Sequence, residues 1–403
     1  MQLNYIIIDR RLSNVLYGKS LKFIDKPHLI FYHILNQSKG EKMKSKFKCL
    51  CLTDVHNQQS MLDYPTTLRE SMVTAVEYGV EEFGKFNLAI VGGDNVSDYP
   101  YWNRSCALPK KNFLDIKQKI VDCTERATID GKVLYVAGNN DMILGDIETE
   151  ENLPYNATEF YYTGPMIDRL GKLSDSELFT VKSIEKPHEH PYLNAFHYVI
   201  NDIDFIGVSI DPNTAFNTHD GYYTEETIDW IDSKLNEIDA DGNKLIFVVG
   251  HLSIYHRNNL VVEKAKDKNI DRLIKALSKH KNLFYLYGHV HGEKHCFTST
   301  EQAVLFLDAN GEVLETPNNS TATLVQMGGL RPFNQIYYEK DGLTGYGGGS
   351  EKVYHFATGT CKLSQYLVFE VFNDRVRFSL RNTGNLENYE KEFKPQEYDV
   401  FLK

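Results

Sequence analysis

Cysteine is scarce in this sequence, and its spacing gives no sign of a disulfide framework. Only six of the 403 residues are cysteines, and no two of them form a CxxC pair. A disulfide scaffold typically contains more than about 8–10% cysteine, and structural disulfides persist mainly outside the cytosol. We therefore predict reduced thiols and a cytoplasmic location.

A long apolar run is also missing. No stretch of about 18 consecutive apolar residues occurs, which is the length that a membrane-spanning helix needs. The N-terminal residues do not follow the order of a secretory signal, namely a basic start, an apolar middle and a small-residue cleavage site. We expect no membrane association.

Basic residues are outnumbered, and they form no long block. The chain has 44 lysines and arginines against 55 aspartates and glutamates, which gives a formal net charge of -11. Proteins that hold nucleic acid electrostatically need a basic face, so we expect no nucleic-acid partner. An acidic protein can still bind a small anionic substrate where metal ions supply local positive charge.

The N-terminal residues differ in pattern from the rest of the chain. Residues 1–42 alternate short apolar stretches with charges, and Lys39-Gly40-Glu41 precedes Met43. The codons for such a triplet can spell a purine-rich ribosome-binding sequence. We interpret residues 1–42 as a leader that is either untranslated or disordered, residues 43–385 as one domain, and residues 386–403 as a C-terminal tail. The sequence indicates no oligomeric state.

Five short apolar runs, each rich in branched or aromatic residues, predict buried strands. They are Phe47 to Thr53, Leu88 to Gly92, Val133 to Ala137, Leu245 to Val249 and Leu283 to Tyr287. Apolar residues at three- and four-residue steps predict helices at Thr66 to Phe83, Phe113 to Ile120, Ile228 to Ile238 and Ile270 to Leu277. Strands that alternate with helices indicate an α/β architecture.

Two other regions depart from this alternation. Residues 150–200 have weak periodicity and several aromatics, and we interpret them as an insertion that can roof a site. Further strands with a hairpin turn at Asn373-Asp374 are predicted after residue 296. These strands are Ala303 to Leu307, Thr323 to Met327, Gln365 to Phe372 and Arg375 to Leu380.

Polar residues that suit metal ligation follow all five of the first predicted strands. The strand ends read Asp54-Val55-His56, Gly93-Asp94, Gly138-Asn139-Asn140-Asp141, Gly250-His251 and Gly288-His289-Val290-His291. In open α/β sheets, ligands bind beyond the carboxyl ends of the strands. A neighbouring glycine permits the tight turn that such a position needs. The pattern predicts one shared site rather than five unrelated turns.

The donor types at these positions indicate the class of metal. Imidazole, carboxylate and amide groups suit Mn, Fe, Zn, Ni or Co, and no thiolate is offered among them. Two divalent or trivalent ions of this class, about 3.5–4 Å apart, can clamp a phosphoryl group and lower the pKa of a bridging water. The sequence thus predicts a dinuclear transition-metal site for a small phosphate ester.

The motifs together resemble those of the calcineurin-like metallophosphoesterase superfamily, whose signature runs DxH, GD, GNH-D/E, GH and GHxH. They occur in family order and span most of residues 50–291. The resemblance implies two packed mixed β-sheets flanked by helices, an α/β sandwich. It also implies a bridging hydroxide that hydrolyses a phosphodiester or phosphomonoester. The implied ligands are Asp54, His56 and His291 for one ion, Asn139, His251 and His289 for the other, and Asp94 as the bridge.

Asn140 departs from the family pattern, which usually has histidine at that position. The family's histidine is taken to bind phosphate and protonate the leaving group, oriented by the acid that matches Asp141. Asparagine donates a hydrogen bond but delivers no proton at neutral pH. The candidate catalytic residues are Asn140, Asp141 and His256, with His256 as an alternative proton donor. The departure leaves open a second function, that of a catalytically weak scaffold or binding protein that holds metal.

Overall fold

The architecture is that of a computed structural model of the chain. The structure describes residues 44–56, 68, 70–95, 110–139, 141, 177–181, 192–211, 221–258, 261–290, 300–330, 338–339, 342–343, 364–383 and 397–403. Three sequence predictions fall outside these ranges, namely the leader at residues 1–42 and the site residues Asn140 and His291. His256 is described in its backbone alone.

Strands dominate the described chain. They are β1 (Phe47–Leu52), β2 (Leu88–Val91), β3 (Val133–Tyr135), β4 (Glu177–Val181), β5 (Tyr192–Ile200), β6 (Ile203–Val208), β7 (Ile246–Val249), β8 (Tyr255–Asn258), β9 (Val261–Lys264), β10 (Leu283–Tyr287), β11 (Val304–Leu307), β12 (Val313–Leu314), β13 (Ala322–Gln326), β14 (Tyr338–Glu339), β15 (Gly342–Leu343), β16 (Ser364–Val371), β17 (Arg375–Thr383) and β18 (Glu397–Phe401). The helices are α1 (Glu70–Phe83), α2 (Lys110–Ala127), α3 (Glu225–Ile238) and α4 (Ile270–Leu277), with a short 3-10 helix at Thr300–Ala303.

Most of these strands belong to two sheets, and both sheets are mixed. The first has the order β18-β17-β16-β1-β2-β3, in which β1, β2 and β3 run parallel. The second has the order β12-β11-β13-β10-β7-β6-β5-β4, in which β6, β7, β10 and β13 run parallel. Parallel neighbours end at the same edge of a sheet, so β1 to β3 deliver their following residues side by side, and so do β7 and β10.

Aromatic side chains join the two sheets face to face. Three ring pairs cross the interface at centroid distances of 4.5 to 5.7 Å: Phe247 with Phe369, Phe284 with Phe378, and Phe47 with Phe205. Pairs of this kind contribute about 0.5–1.5 kcal/mol each beyond the burial of their area. The prediction of two packed mixed sheets in an α/β sandwich is confirmed.

Helices cover the outer sides of the sheets, as predicted. The helix α1 contacts β1, β16 and β17, and it buries Met72, Ala75 and Val76 at the spacing of one helical face. The helix α3 contacts β5 and α4, and its first turn is capped by the Thr224 hydroxyl, which accepts from Thr227 N. No helix within the described ranges is both long and apolar enough to cross a bilayer.

The strands that the sequence patterns did not predict include the buried central strand β6 and strands in two further stretches. Within residues 150–200, interpreted as an insertion, β4 and β5 form one end of the second sheet, where β5 pairs antiparallel with β6. Within the predicted tail at 386–403, β18 pairs antiparallel with β17 at one end of the first sheet. In β18 only Val400 is buried, so its sequence needs no continuous apolar run.

Candidate metal centre

The carboxyl ends of five strands bring most of the predicted ligands to one place. The strands are β1, β2 and β3 of the first sheet and β7 and β10 of the second. The predicted ligands among the described residues are Asp54, His56, Asp94, Asn139, His251 and His289. Main-chain hydrogen bonds tie the turns together within each sheet: His56 N donates to the Asp94 carbonyl at 2.9 Å, and Gly288 N donates to the His251 carbonyl at 3.1 Å.

The buried carboxylate of Asp94 lies at the centre of this arrangement. Its Oδ1 atom lies 3.3 Å from His251 Nε2, and its Oδ2 atom lies 3.5 Å from His56 Nε2. Two groups of potential ligands therefore share this residue, one with His251 and His289 and the other with Asp54 and His56. Within each group, the ligand atoms lie within 4.8 Å of one another.

Asn139 and His289 complete one side of the centre. The Nδ1 atom of His289 lies 3.0 Å from the Oδ1 atom of Asn139. The rings of His289 and His251 meet edge to face, with centroids 5.3 Å apart. The structure thus brings Asn139, His251 and His289 together as neighbours.

These spacings fit the group that the donor set implies. Two atoms bound to one ion at about 2.0–2.2 Å, with tetrahedral or octahedral angles, lie about 3–3.5 Å apart. The distances from Asp94 to both histidines and from Asn139 to His289 fall in this range. Imidazole, carboxylate and amide donors suit first-row transition metals.

Outer hydrogen bonds fix which atoms face the centre. The Nδ1 atom of His251 lies 2.8 Å from the Gly92 carbonyl, so it donates there and directs the lone pair of Nε2 towards Asp94. The Oδ2 atom of Asp54 accepts from the Thr53 hydroxyl at 2.9 Å and from His289 N at 3.1 Å. Its Oδ1 atom faces His56 Nε2 at 4.0 Å.

The electrostatics of the centre favour a cation. Burial by itself would raise the pKa of Asp94, but His251, His56 and His289 hold that pKa well below its usual range. Burial by itself would lower the pKa of His251, but the Asp94 carboxylate raises it to about 9. A carboxylate so close to an imidazole lone pair is repulsive unless a positive charge lies between them. A proton or a metal ion supplies that charge.

Four of the ligand residues have a left-handed backbone. The φ angle is 52° at Asp54, 45° at His56, 50° at Asp94 and 69° at His289. Residues other than glycine rarely adopt this conformation, and such positions cost on the order of 1–3 kcal/mol each. The surrounding fold therefore holds these turns in place against local preference, as is common at functional sites.

The space around residue 138 explains why a glycine precedes Asn139. A Cβ atom on Gly138 would lie 2.2 Å from Asp94 Oδ1 and 2.8 Å from His251 Nε2. Any side chain at this position would occupy the space between the Asp94 carboxylate and the His251 ring. The glycine is required by the centre itself rather than by the turn alone.

Asp141 holds two of the turns that carry ligands. Its Oδ1 atom accepts from Asn95 N at 3.0 Å, and its Oδ2 atom accepts from Gly138 N at 3.0 Å. The side chain is fully buried. Asp141, a candidate catalytic residue in the sequence, thereby links the turn that follows β2 to the turn that follows β3.

Replacing Asp141 with asparagine should lower the free energy of unfolding of the metal-free protein by about 1–3 kcal/mol. The amide group would place a donor against one of the two backbone donors, either Asn95 N or Gly138 N. Urea denaturation measures the effect. Asp308 is the matched control, since it accepts from Asn310 N and Glu312 N at an exposed turn, where water can replace it. Equal, small losses in Asp141→Asn and Asp308→Asn would contradict this role.

Two predicted site residues and one side chain stay outside this description. Asn140 and His291 lie outside the described residues, and His256 lies on β8 opposite Glu263, with its side chain not described.

The sequence also missed two residues that support the predicted ligands, namely Thr53 and Tyr223. The Tyr223 hydroxyl accepts from His251 N at 2.9 Å, and no motif connects residues so far apart in the chain.

Comparisons with known proteins identify no family for this chain. No protein-family model matches this chain, and no curated protein matches it. Among solved structures, a predicted phosphoesterase from Streptococcus pneumoniae TIGR4 is 9% identical, with 89% of this chain and 99% of that chain covered and a TM-score of 0.28. Vps29 from Chaetomium thermophilum is 10% identical, with 88% and 98% covered and a TM-score of 0.26. Values this low establish neither a shared family nor a shared activity. The chain is an α/β sandwich of two mixed sheets with Asp/His clusters that could hold metal ions.

Proposed function

We propose that this protein is a metal-dependent phosphoesterase that uses two metal ions to hydrolyse a small phosphodiester or phosphomonoester. One observation carries the proposal: the two carboxylate oxygens of Asp94 face histidines in two different groups of potential ligands. A carboxylate that bridges two ions has this geometry, and paired ions are typical of phosphoester hydrolysis. The resemblance of the five motifs to the metallophosphoesterase superfamily supports the same function.

The residues of the chain have distinct parts in this chemistry. When bound, the pair of metal ions supplies a nucleophilic water at neutral pH and neutralises charge on the phosphoryl oxygens. The ligands of one ion would be Asp54, His56, Asp94 and His291, and those of the other would be Asp94, Asn139, His251 and His289. Thr53 and Gly92 orient Asp54 and His251 by hydrogen bonds, so the centre needs little rearrangement when it loads.

We also propose that the substrate is a small phosphate ester in the cytoplasm rather than a nucleic acid. The formal charge of -11 and the absence of a basic block in the sequence support this choice, because a nucleic-acid grip is largely electrostatic. The alternative function, a weak metal-holding scaffold, has support only from Asn140. A scaffold has no need for strained ligand turns that converge on a shared carboxylate.

The test is a substrate screen on protein stripped of metal and reloaded with Mn²⁺. We expect about two ions per chain, and hydrolysis of nitrophenyl mono- or diesters that stops with chelator and returns with Mn²⁺. Cyclic nucleotides and nucleotides complete the panel. Two bound ions without hydrolysis of any ester would favour the scaffold, and the absence of stoichiometric metal would overturn the metal centre itself.

A further inference from the structure

We propose that Tyr223 is a positioning residue whose hydroxyl holds His251 in place as a metal ligand. The inference rests on the metal centre of the proposed function and goes beyond it, because Tyr223 contacts the main chain of His251 and is not itself one of the proposed ligands. Tyr223 immediately precedes Thr224, the residue that caps α3, and its side chain is 2% exposed. It reaches from the helical layer to the turn that follows β7.

The Tyr223 hydroxyl accepts two consecutive backbone amides. His251 N donates to it at 2.9 Å, and Leu252 N donates at 3.1 Å. Amides buried in this way have no access to water, so an acceptor is needed for each. One phenol oxygen therefore fixes the main chain at the ligand itself and at the residue after it.

Tyr285 on the neighbouring strand β10 completes the network. Its hydroxyl donates to the Leu252 carbonyl at 2.8 Å and lies 3.3 Å from the Tyr223 hydroxyl. Every group is satisfied when Tyr223 donates to Tyr285 and Tyr285 donates to Leu252. Gly250 leaves room for both phenols, because a Cβ atom there would lie 2.6 Å from one hydroxyl and 2.5 Å from the other.

His251 is consequently held at three points. Tyr223 binds its N–H, Gly288 N binds its carbonyl at 3.1 Å, and the Gly92 carbonyl binds its Nδ1 atom at 2.8 Å. Only Nε2 is directed at Asp94. Replacement of Tyr223 with phenylalanine removes the hydrogen bond to His251 N and keeps the aromatic ring of residue 223. With two hydrogen bonds left, the His251 main chain and imidazole have more freedom, so the position of Nε2 for binding an ion is less well defined.

The test compares Tyr223→Phe with wild type by two measurements. In the metal-free protein, hydrogen exchange at the His251 and Leu252 amides should accelerate. In Mn²⁺ titrations, affinity should fall by about 10–100-fold, the usual effect of losing an outer partner of a ligand. The matched control is Tyr287→Phe, which removes a buried phenol bond to the Tyr255 carbonyl from the same strand as Tyr285. It should keep the wild-type affinity.

A double-mutant cycle separates positioning from general damage. In a His251→Ala background, Tyr223→Phe should cause no further loss of Mn²⁺ affinity, because the residue through which it acts is absent. An equal loss in both backgrounds, or unchanged exchange and affinity in Tyr223→Phe, would overturn the proposal. Wild-type protein that binds Mn²⁺ but hydrolyses no ester would remove the proposed function and leave this role of Tyr223 standing.

Discussion

Asp94→Asn should empty the metal centre and abolish hydrolysis. Bound metal should fall from about two ions per chain to well below one, because a single carboxylate serves both. Asparagine keeps the shape of the side chain but loses its charge and one of the two oxygens that face His251 and His56. Elemental analysis after reconstitution with Mn²⁺, together with nitrophenyl ester turnover, measures the effect.

The control for this variant is a second buried aspartate remote from the centre. Asp239 accepts from Lys244 N at 2.9 Å and contacts His280 Nδ1 at 3.0 Å. Asp239→Asn should lower the free energy of unfolding by about 1–3 kcal/mol and keep both ions. Retention of two ions by Asp94→Asn would show that Asp94 does not bridge the pair, whatever happens to activity.

Asn140→His should accelerate the hydrolysis of esters with poor leaving groups by up to about 10²–10⁴-fold. Asparagine has no proton to deliver, so the leaving group of the wild-type reaction must depart largely unprotonated. The wild-type rate should therefore fall steeply as the leaving-group pKa rises. Comparison of nitrophenyl with alkyl esters gives this dependence, and nitrophenyl turnover should change little in Asn140→His.

The competing hypothesis is that His256 protonates the leaving group. If it protonates the leaving group, Asn140→His changes little and His256→Ala slows alkyl esters selectively. The hypothesis that the wild type lacks a general acid would be rejected by two results together. The wild-type rate would not depend on the leaving-group pKa, and Asn140→His would not change the rate. The two single variants, assayed on the same pair of esters, therefore distinguish the residues without knowledge of the natural substrate.

Most of the central strands could be predicted from sequence because they are buried on both faces and read as continuous apolar runs. The runs at Phe47 to Thr53 and Leu283 to Tyr287 match β1 and β10 to within one residue at either end. The strands β4, β5 and β18 lie towards sheet ends and escaped prediction because polar residues interrupt their apolar patterns. In β5, for example, Asn194 and His197 interrupt the apolar pattern, and the partner that stabilises the strand is β6. The strand β6 is buried along its length but also escaped prediction, because Asp204 and Gly207 interrupt its apolar run.

The predicted ligand positions could be found from the sequence because each follows the end of a recognisable buried strand, and most have a glycine beside them. The hydrogen-bond partners that support these positions could not be predicted, even where the residue itself, such as Asp141, was already a candidate. Asp141 accepts from Asn95 N, which is 46 residues away, and Tyr223 accepts from His251 N, which is 28 residues away. Contacts of this kind depend on how the turns face one another in space, and neither spacing nor residue type records that.

The centre draws its ligands from both halves of the sandwich, with Asp94 and Asn139 following strands of one sheet and His251 and His289 following strands of the other. If the proposed ions bind there, they connect the two sheets and bind to the folded chain but not to the unfolded one. Metal at a hundred times its dissociation constant would then add about 2.7 kcal/mol to the stability of the folded chain. A cell short of metal would hold more of this protein unfolded and lose it faster to proteolysis. Under the proposed function, metal supply would set the abundance of the protein as well as its rate of hydrolysis.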